Sequence, residues 1–131
     1  GVRLVGSEMC IRDSIEADTP PSPVTLGYVN MLTSTAAFSD YIVGATAVLP
    51  CFWLYAEVGL HLAENNHPEH PYNAWLSMYG GEDFTDAVRM ALNSVEKALS
   101  GASEKQRADA LEAFMYACYY EREFFDQATR N

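Results

Sequence analysis

The sequence predicts an all-α protein, built as an antiparallel bundle of helices. Apolar residues recur at helical spacing in successive segments between residues 23 and 129, and no segment alternates in the manner of an amphipathic strand. Short loops join the segments and make neighbouring helices roughly antiparallel. With 131 residues, 49% of them hydrophobic and 20% charged, the chain has the composition of one globular domain.

Caps and one proline mark the first two predicted helices. The first spans residues 23–38, because Ser22 can accept a hydrogen bond from an early backbone N–H and Pro23 fits the first helical position. The second runs from a cap at residues 39–40 to about residue 65 and is apolar for most of its length, so we expect it in the core. Pro50 has no N–H for the carbonyl one turn back, which predicts a break or kink there.

Three further helices follow. A short helix is predicted over residues 71–79, and Gly80-Gly81 would end it in a left-handed turn. The next covers residues 82–99. The last covers residues 104–129 and begins with a Ser-x-x-Gln capping box at Ser103.

Residues 1–18 match neither a helical nor a strand pattern. The string from Val5 to Ser14 resembles translated sequencing-adapter read-through. We therefore interpret residues 1–18 as a disordered, non-native leader that precedes a helical domain over residues 19–131, and we give Cys10 no functional weight.

The net charge and the cysteine content indicate which binding partners and which cellular compartment to expect. The formal net charge is −10, which disfavours nucleic acid and anionic membranes as partners and favours a cationic ligand. The apolar runs are too short to predict a membrane-spanning helix. Three cysteines without a framework spacing indicate free thiols in a reducing compartment, so we expect a cytoplasmic protein.

Helical spacing groups several residues that carry chemistry. Residues four apart share one face of a helix, so Cys51 lies beside Tyr55, and Glu121 shares a face with Phe124 or Phe125. Tyr28 and Tyr79 are further tyrosines on the first and third predicted helices. From periodicity alone, these residues form aromatic packing around one carboxylate.

Four sequence blocks change that interpretation. From about Thr19 to Arg130 the chain resembles the TenA/thiaminase II family, and the Pro-Cys run followed by Trp and Tyr is the most specific match. The matching blocks are Tyr28–Leu32, Ala47–Gly59, Pro71–Tyr79 and Tyr120–Ala128.

The resemblance implies a fold and an activity. The fold is the haem-oxygenase-like helical bundle, usually a homotetramer, and this chain lacks the counterparts of the family's first helices. The implied activity is hydrolysis of thiamin or of 4-amino-5-aminomethyl-2-methylpyrimidine to hydroxymethyl-pyrimidine, as part of thiamin salvage. The reaction passes through a cysteine adduct, so we expect a small pyrimidine or thiamin-derived partner, no cofactor and no metal.

The resemblance also assigns roles to individual residues. Cys51 matches the family nucleophile, and Tyr79 matches the tyrosine that hydrogen-bonds near the thiol and favours the thiolate. Glu121 matches the carboxylate that contacts the pyrimidine and shuttles protons. The positions that match substrate-lining aromatic residues are Tyr28, Tyr55 and Phe124.

Two alternatives remain open at this point. The family carries an aspartate on its first helices that grips the pyrimidine, and no residue between Gly1 and Asp18 matches its context. The chain would then be an inactive fragment or a non-catalytic pyrimidine-binding module. Glu64 and His67 form a single Glu-x-x-His pair, which weakly suggests a metal-dependent relative and more simply fits a solvated helix end. Cys118 is interpreted as a packed core thiol.

Overall fold

The computed structural model describes residues 20–130, and over this range the chain forms helices and connecting loops without a strand. The helices are α1 (Pro23–Phe38), α2 (Tyr41–Val48), α3 (Pro50–Ala63), α4 (Asn73–Tyr79), α5 (Glu82–Ser100) and α6 (Glu104–Gln127). The prediction of an all-α fold is confirmed. The predicted leader over residues 1–18 lies outside the described range and stays a prediction.

Two predicted caps are present at atomic detail. The Ser22 side chain accepts a hydrogen bond from the backbone N–H of Thr25 at 3.1 Å. At the start of α6, the Ser103 side chain accepts from the Gln106 backbone N–H, and the Gln106 side chain accepts from the Ser103 N–H. These caps satisfy backbone donors that have no partner inside the helix, so they fix where α1 and α6 begin.

Pro50 divides the long apolar segment into two helices. α2 ends at Val48 and α3 begins at Pro50, with Leu49 as the junction. The backbone N–H of Leu49 donates to the Thr46 carbonyl at 3.2 Å, which satisfies the group that Pro50 cannot reach. The predicted break is therefore present, and it places Cys51 in the first turn of a new helix.

The core lies where α2 packs against α5 and α6. Its buried members are Ile42, Val43, Ala47, Leu49, Val95, Ala110 and Ala113. Alanines on both α2 and α6 let the two backbones approach closely. The predicted central position thus holds for the first half of the long apolar segment, whereas in α3 only Pro50, Ala56 and Gly59 are buried.

Several apolar residues that recur at helical spacing in the sequence are exposed in the structure. On α1, Leu26 and Val29 keep 49% and 54% of their surface accessible, and on α6 Leu111 and Met115 are likewise exposed. Helical spacing identifies an apolar face but does not say whether another element covers it. The described residues therefore present substantial apolar surface.

The segment Tyr41–Ala63 corrects one expectation. Taken across the junction as a single 23-residue helix, it is long and apolar enough to cross a membrane by length and composition, and 44% of an 18-residue stretch within it is buried in the structure. The expectation that no apolar run reaches this length is wrong. A core helix of a globular protein passes the same test, so the finding is weak evidence for a membrane span.

α3 and α4 meet at two glycines for a steric reason. A Cβ on Gly59 would lie 2.5 Å from the Tyr79 carbonyl carbon, and a Cβ on Gly80 would lie 2.9 Å from the Gly59 carbonyl oxygen. Gly80 has a φ of −88°, so the predicted left-handed turn is wrong. The glycines allow backbone contact, and that contact brings Tyr79 to the face of α3 that carries Tyr55.

Substitution of Gly59 tests this contact. We expect Gly59→Ala to lower the free energy of unfolding by about 2 kcal/mol, because its methyl group meets immovable backbone. Gly44→Ala is the matched control inside a helix, since its Cβ would lie 3.7 Å from the Ala36 Cα. That control should be neutral or stabilising by about 0.5 kcal/mol. Urea unfolding followed by circular dichroism measures both, and equal effects would contradict the steric argument.

Candidate active site

A cysteine, a tyrosine and a glutamate from three different helices meet at one point. The hydroxyl of Tyr28 in α1 donates a hydrogen bond to Oε1 of Glu121 in α6 at 2.9 Å. The same hydroxyl lies 3.0 Å from Sγ of Cys51 in α3. Glu121 is 3% exposed, Tyr28 is 9% exposed and Cys51 is half-buried. The structure thus brings together three of the residues to which the resemblance assigned roles.

Local folding places each of the three side chains. Tyr28 is the one buried residue of α1. Glu121 continues the buried face of α6, whose other members are alanines at positions 110, 113 and 117. Cys51 directly follows Pro50 and lies in the first turn of α3. A carboxylate in line with three buried alanines is a sequence signal for a buried acid.

The donors and acceptors of these three groups define a path for proton transfer. A tyrosine hydroxyl has one proton, and here it is directed at the Glu121 carboxylate. The thiol proton of Cys51 is then free to point at the Tyr28 oxygen, which accepts it. The geometry gives a continuous path from sulfur through the hydroxyl to the carboxylate.

Burial and charge set the protonation of the site. Burial is the main cause that raises the pKa of Cys51, and the neighbouring Glu121 carboxylate raises it further, whereas the Tyr28 hydroxyl, which can donate a hydrogen bond to the thiolate once it forms, lowers it. The pKa of Tyr28 is raised far above its usual value, first by burial and then by its two hydrogen-bond partners. Tyr28 is therefore a neutral hydrogen-bond donor at physiological pH.

A cluster of aromatic rings adjoins Cys51 one turn along α3. The Tyr55 ring packs on Tyr79 at 5.3 Å between centroids, on Phe125 at 5.5 Å and on Trp75 at 6.3 Å. Burial raises the pKa of Tyr55 to about 12, followed by the effect of the Glu121 charge. The cluster provides flat apolar surface next to the thiol.

The structure differs from the sequence-based assignment at Tyr79. The hydroxyl within hydrogen-bond distance of the Cys51 sulfur belongs to Tyr28, which was assigned to lining the substrate. The Tyr79 ring instead packs on Tyr55, Trp75 and Phe84 at the α3–α4 contact. The reason is the position of the helices, since Tyr28 reaches the sulfur from α1, where its ring stacks on Tyr120 of α6, whereas Tyr79 on α4 meets α3 one turn further along, at Tyr55.

The contact with Tyr55 is made by Phe125 and not by Phe124, which the resemblance matched to a substrate-lining position. Phe124 is 40% exposed and contacts Phe125, and Phe125 makes the contact with Tyr55. Both lie within one turn of Glu121, so sequence spacing alone did not distinguish them. The side chain that reaches Tyr55 is the one four residues after Glu121.

The structure also places Cys118 and His67, two further candidates from the sequence. Cys118 is partly buried one turn before Glu121, and its pKa is raised first by burial and then by the Glu121 charge. His67 lies 3.5 Å from the exposed Glu69. Within the described range, no group of three or more His, Cys, Asp and Glu side chains is arranged to hold a metal ion.

Comparison with known proteins identifies the family. The profile of the TENA/THI-4/PQQC family matches residues 7–131. The chain belongs to this family. The matched range begins inside the segment 1–18, whose interpretation as a leader stays untested.

Relatives share sequence with the chain at two levels. It is 54% identical over 110 residues to the thiamine biosynthesis multifunctional protein ThiED of Corynebacterium efficiens, which covers 84% of this chain and 15% of that protein. It is 33% identical over 111 residues to an aminopyrimidine aminohydrolase of Bacillus subtilis, which covers 84% of this chain and 47% of that protein. The chain therefore spans about half of the aminohydrolase and a much smaller share of ThiED.

A solved structure supports the fold. The chain superimposes on a TenA homologue from Pyrococcus furiosus with a TM-score of 0.82 and 21% identity, over 92% of this chain and 58% of that one. The fold is therefore the haem-oxygenase-like helical fold implied by the resemblance.

The pH dependence of thiol alkylation tests the site's electrostatics. We expect Tyr28→Phe to move the midpoint for Cys51 upward by about one pH unit, because a hydrogen bond that lowers the thiol pKa is lost. Glu121→Gln should move it downward, because the charge that raises the pKa is removed. The measurement is iodoacetamide labelling across pH, resolved by peptide mass spectrometry.

Cys118 serves as an internal control in the same peptide maps. Its pKa responds to burial and to Glu121 but has no contribution from Tyr28. Its midpoint should therefore fall in Glu121→Gln and stay unchanged in Tyr28→Phe. A downward shift of Cys51 in Tyr28→Phe would contradict the assigned hydrogen bond.

Proposed function

We propose that this chain carries the nucleophile and the proton-transfer groups of an aminopyrimidine aminohydrolase that acts in the cytoplasm. The proposed substrate is thiamin or 4-amino-5-aminomethyl-2-methylpyrimidine, and the product is hydroxymethyl-pyrimidine for thiamin salvage. The observation that carries the proposal is the line from Cys51 Sγ through the Tyr28 hydroxyl to Glu121 Oε1. Relatives named aminopyrimidine aminohydrolase and thiamine biosynthesis protein support the substrate class.

The first step forms the nucleophile. The Cys51 thiol gives its proton to the Tyr28 oxygen as Tyr28 gives its own proton to Glu121, which leaves a thiolate and a neutral carboxylic acid. The transfer needs no rearrangement of the chain, because both hydrogen bonds are already present. It also removes the carboxylate charge that raises the thiol pKa.

The following steps exchange an amine for water. The thiolate adds to the electron-poor pyrimidine ring while Glu121 supplies a proton to a ring nitrogen. The adduct then expels the amine from the exocyclic methylene group, and the ring-nitrogen proton passes through Glu121 to the leaving amine. Water adds to that methylene, and its proton returns through Glu121 to the ring nitrogen. The carbon–sulfur bond then breaks as the ring nitrogen gives up this proton to the sulfur, which restores the thiol, so that water is consumed and an amine is released.

Aromatic side chains give the site its preference for a flat ligand. Tyr55, Tyr79 and Phe125 form a contiguous cluster beside the thiol. Planar apolar walls stabilise a heteroaromatic ring by stacking and by excluding water. Further groups that grip the pyrimidine are proposed to come from the complete protein, which we expect to be a homotetramer.

Turnover of the aminomethyl-pyrimidine by the complete protein tests the proposal. We expect Cys51→Ser and Glu121→Gln each to lower kcat by about 100-fold or more, since one removes the nucleophile and the other the proton donor and acceptor. Cys118→Ser is the matched control, because it changes a second thiol near Glu121 that has no hydrogen bond to Tyr28. It should retain activity.

The same experiment separates catalysis from simple binding. Persistent turnover in Cys51→Ser would reject the covalent route. A thermal shift with the pyrimidine but no product from the wild-type protein would indicate a non-catalytic binding module instead.

A further inference from the structure

Tyr28 is held by a second tyrosine to which the sequence assigned no role. The rings of Tyr28 and Tyr120 are stacked, with 5.4 Å between their centroids and 8° between their planes. Tyr120 directly precedes Glu121 on α6, so one turn of that helix supplies both the carboxylate and the surface on which the Tyr28 ring lies.

Gly27 allows Tyr120 to lie against the backbone of α1. A Cβ at Gly27 would come within 3.0 Å of both Cε1 and the hydroxyl oxygen of Tyr120. Any larger residue there would push the Tyr120 ring away. At the last residue of α6, Gln127 accepts a hydrogen bond from the Ser22 hydroxyl at 2.6 Å, which ties the start of α1 to α6.

We propose that Tyr120 is a positioning residue, which holds the Tyr28 hydroxyl between the Cys51 sulfur and the Glu121 carboxylate. Both hydrogen bonds made by that hydroxyl are 2.9–3.0 Å long, and such bonds weaken steeply when the oxygen moves or turns. A near-parallel ring on one side prevents the Tyr28 ring from rotating out of line. The consequence for turnover rests on the function proposed above.

The thiol provides a readout that simple packing would not move. The titratable groups that face Cys51 are Tyr28 from α1, Glu121 from α6 and Tyr55 from its own helix, with Tyr79 of α4 behind Tyr55. Among these, the Tyr28 hydrogen bond is the contribution that depends on the stacked ring. A loss of stacking should therefore appear as a change in the pH profile of Cys51.

The experiment compares Tyr120→Leu with Tyr120→Phe in the complete protein. We expect Tyr120→Leu to raise the alkylation midpoint of Cys51 by about half a pH unit, a partial loss of one hydrogen bond to the thiolate. Tyr120→Phe retains the stacked ring and should keep the wild-type midpoint. Tyr119→Leu is the matched control, since Tyr119 contacts Tyr120 edge-on and is not stacked on Tyr28, and it should also leave the midpoint unchanged.

A double variant tests whether the effect passes through Tyr28. In a Tyr28→Phe background, Tyr120→Leu should produce no further shift, because the hydroxyl that it positions is already absent. An equal shift in both backgrounds, an unchanged midpoint in Tyr120→Leu, or a downward shift caused by water entry would each overturn the proposal. A shift in Tyr120→Phe as large as that in Tyr120→Leu would overturn it as well.

Gly27→Ala provides a second route if Tyr120→Leu does not fold. Its methyl group displaces Tyr120 without removing the ring, so a smaller upward shift is expected and an unchanged midpoint would count against the proposal. Alkylation does not require turnover. An upward shift of the Cys51 midpoint without any hydrolase activity would therefore reject the proposed function and keep the positioning role. Hydrolase activity with an unchanged Cys51 midpoint would reject the positioning role and keep the proposed function.

Discussion

The buried carboxylate of Glu121 is the constraint on which the rest of the site depends. A carboxylate at 3% exposure is costly unless hydrogen bonds compensate for the lost water, and the Tyr28 hydroxyl supplies one such bond. Because Tyr28 has a single proton, its commitment to Glu121 determines how the Cys51 thiol can interact with it. α1 and α6 must therefore keep a fixed relation for Glu121 to retain this bond, and α3 must keep its place for Cys51 to reach the same hydroxyl.

Backbone features far simpler than the site maintain that relation. Pro50 starts α3 directly after the end of α2, so Cys51 lies in the first turn of a new helix while α2 stays in the core. Gly59 and Gly80 bring α3 and α4 into backbone contact, which sets Tyr79 against Tyr55. Gly27 lets the Tyr120 ring of α6 lie against the backbone of α1. One proline and three glycines thus set the helix ends and helix contacts on which the site depends.

Sequence reasoning recovered what depends on local pattern. Caps at Ser22 and Ser103 and the break at Pro50 follow from the chemistry of one helical turn, and the structure contains all three. Family resemblance brought Cys51 and Glu121 to one site. The partner of the thiol was assigned to Tyr79 rather than Tyr28, because hydroxyl direction depends on how helices cross, and no spacing within a single helix encodes that.

The solvent exposure of apolar side chains also could not be predicted from helical periodicity. Leu26 and Val29 lie on an apolar stripe of α1 and yet remain half-exposed, because periodicity reports that a face is apolar and not what lies over it. Gly80 was read as a left-handed helix stop when its role is close contact with α3. In both cases the missing information is the position of a neighbour distant in sequence.

A raised thiol pKa at a nucleophile becomes reasonable once the proton acceptor is considered together with it. A permanently ionised thiolate beside the Glu121 carboxylate would place two negative charges in a buried space, and a thiol of very low pKa is intrinsically a weaker nucleophile. Holding the proton on sulfur avoids the repulsion while the site is empty. Passing it through Tyr28 neutralises Glu121 at the moment the thiolate forms, so the site never has to stabilise both charges. Glu121, whose charge raises the pKa of the Cys51 thiol, is then also the proton acceptor that allows the thiol to react.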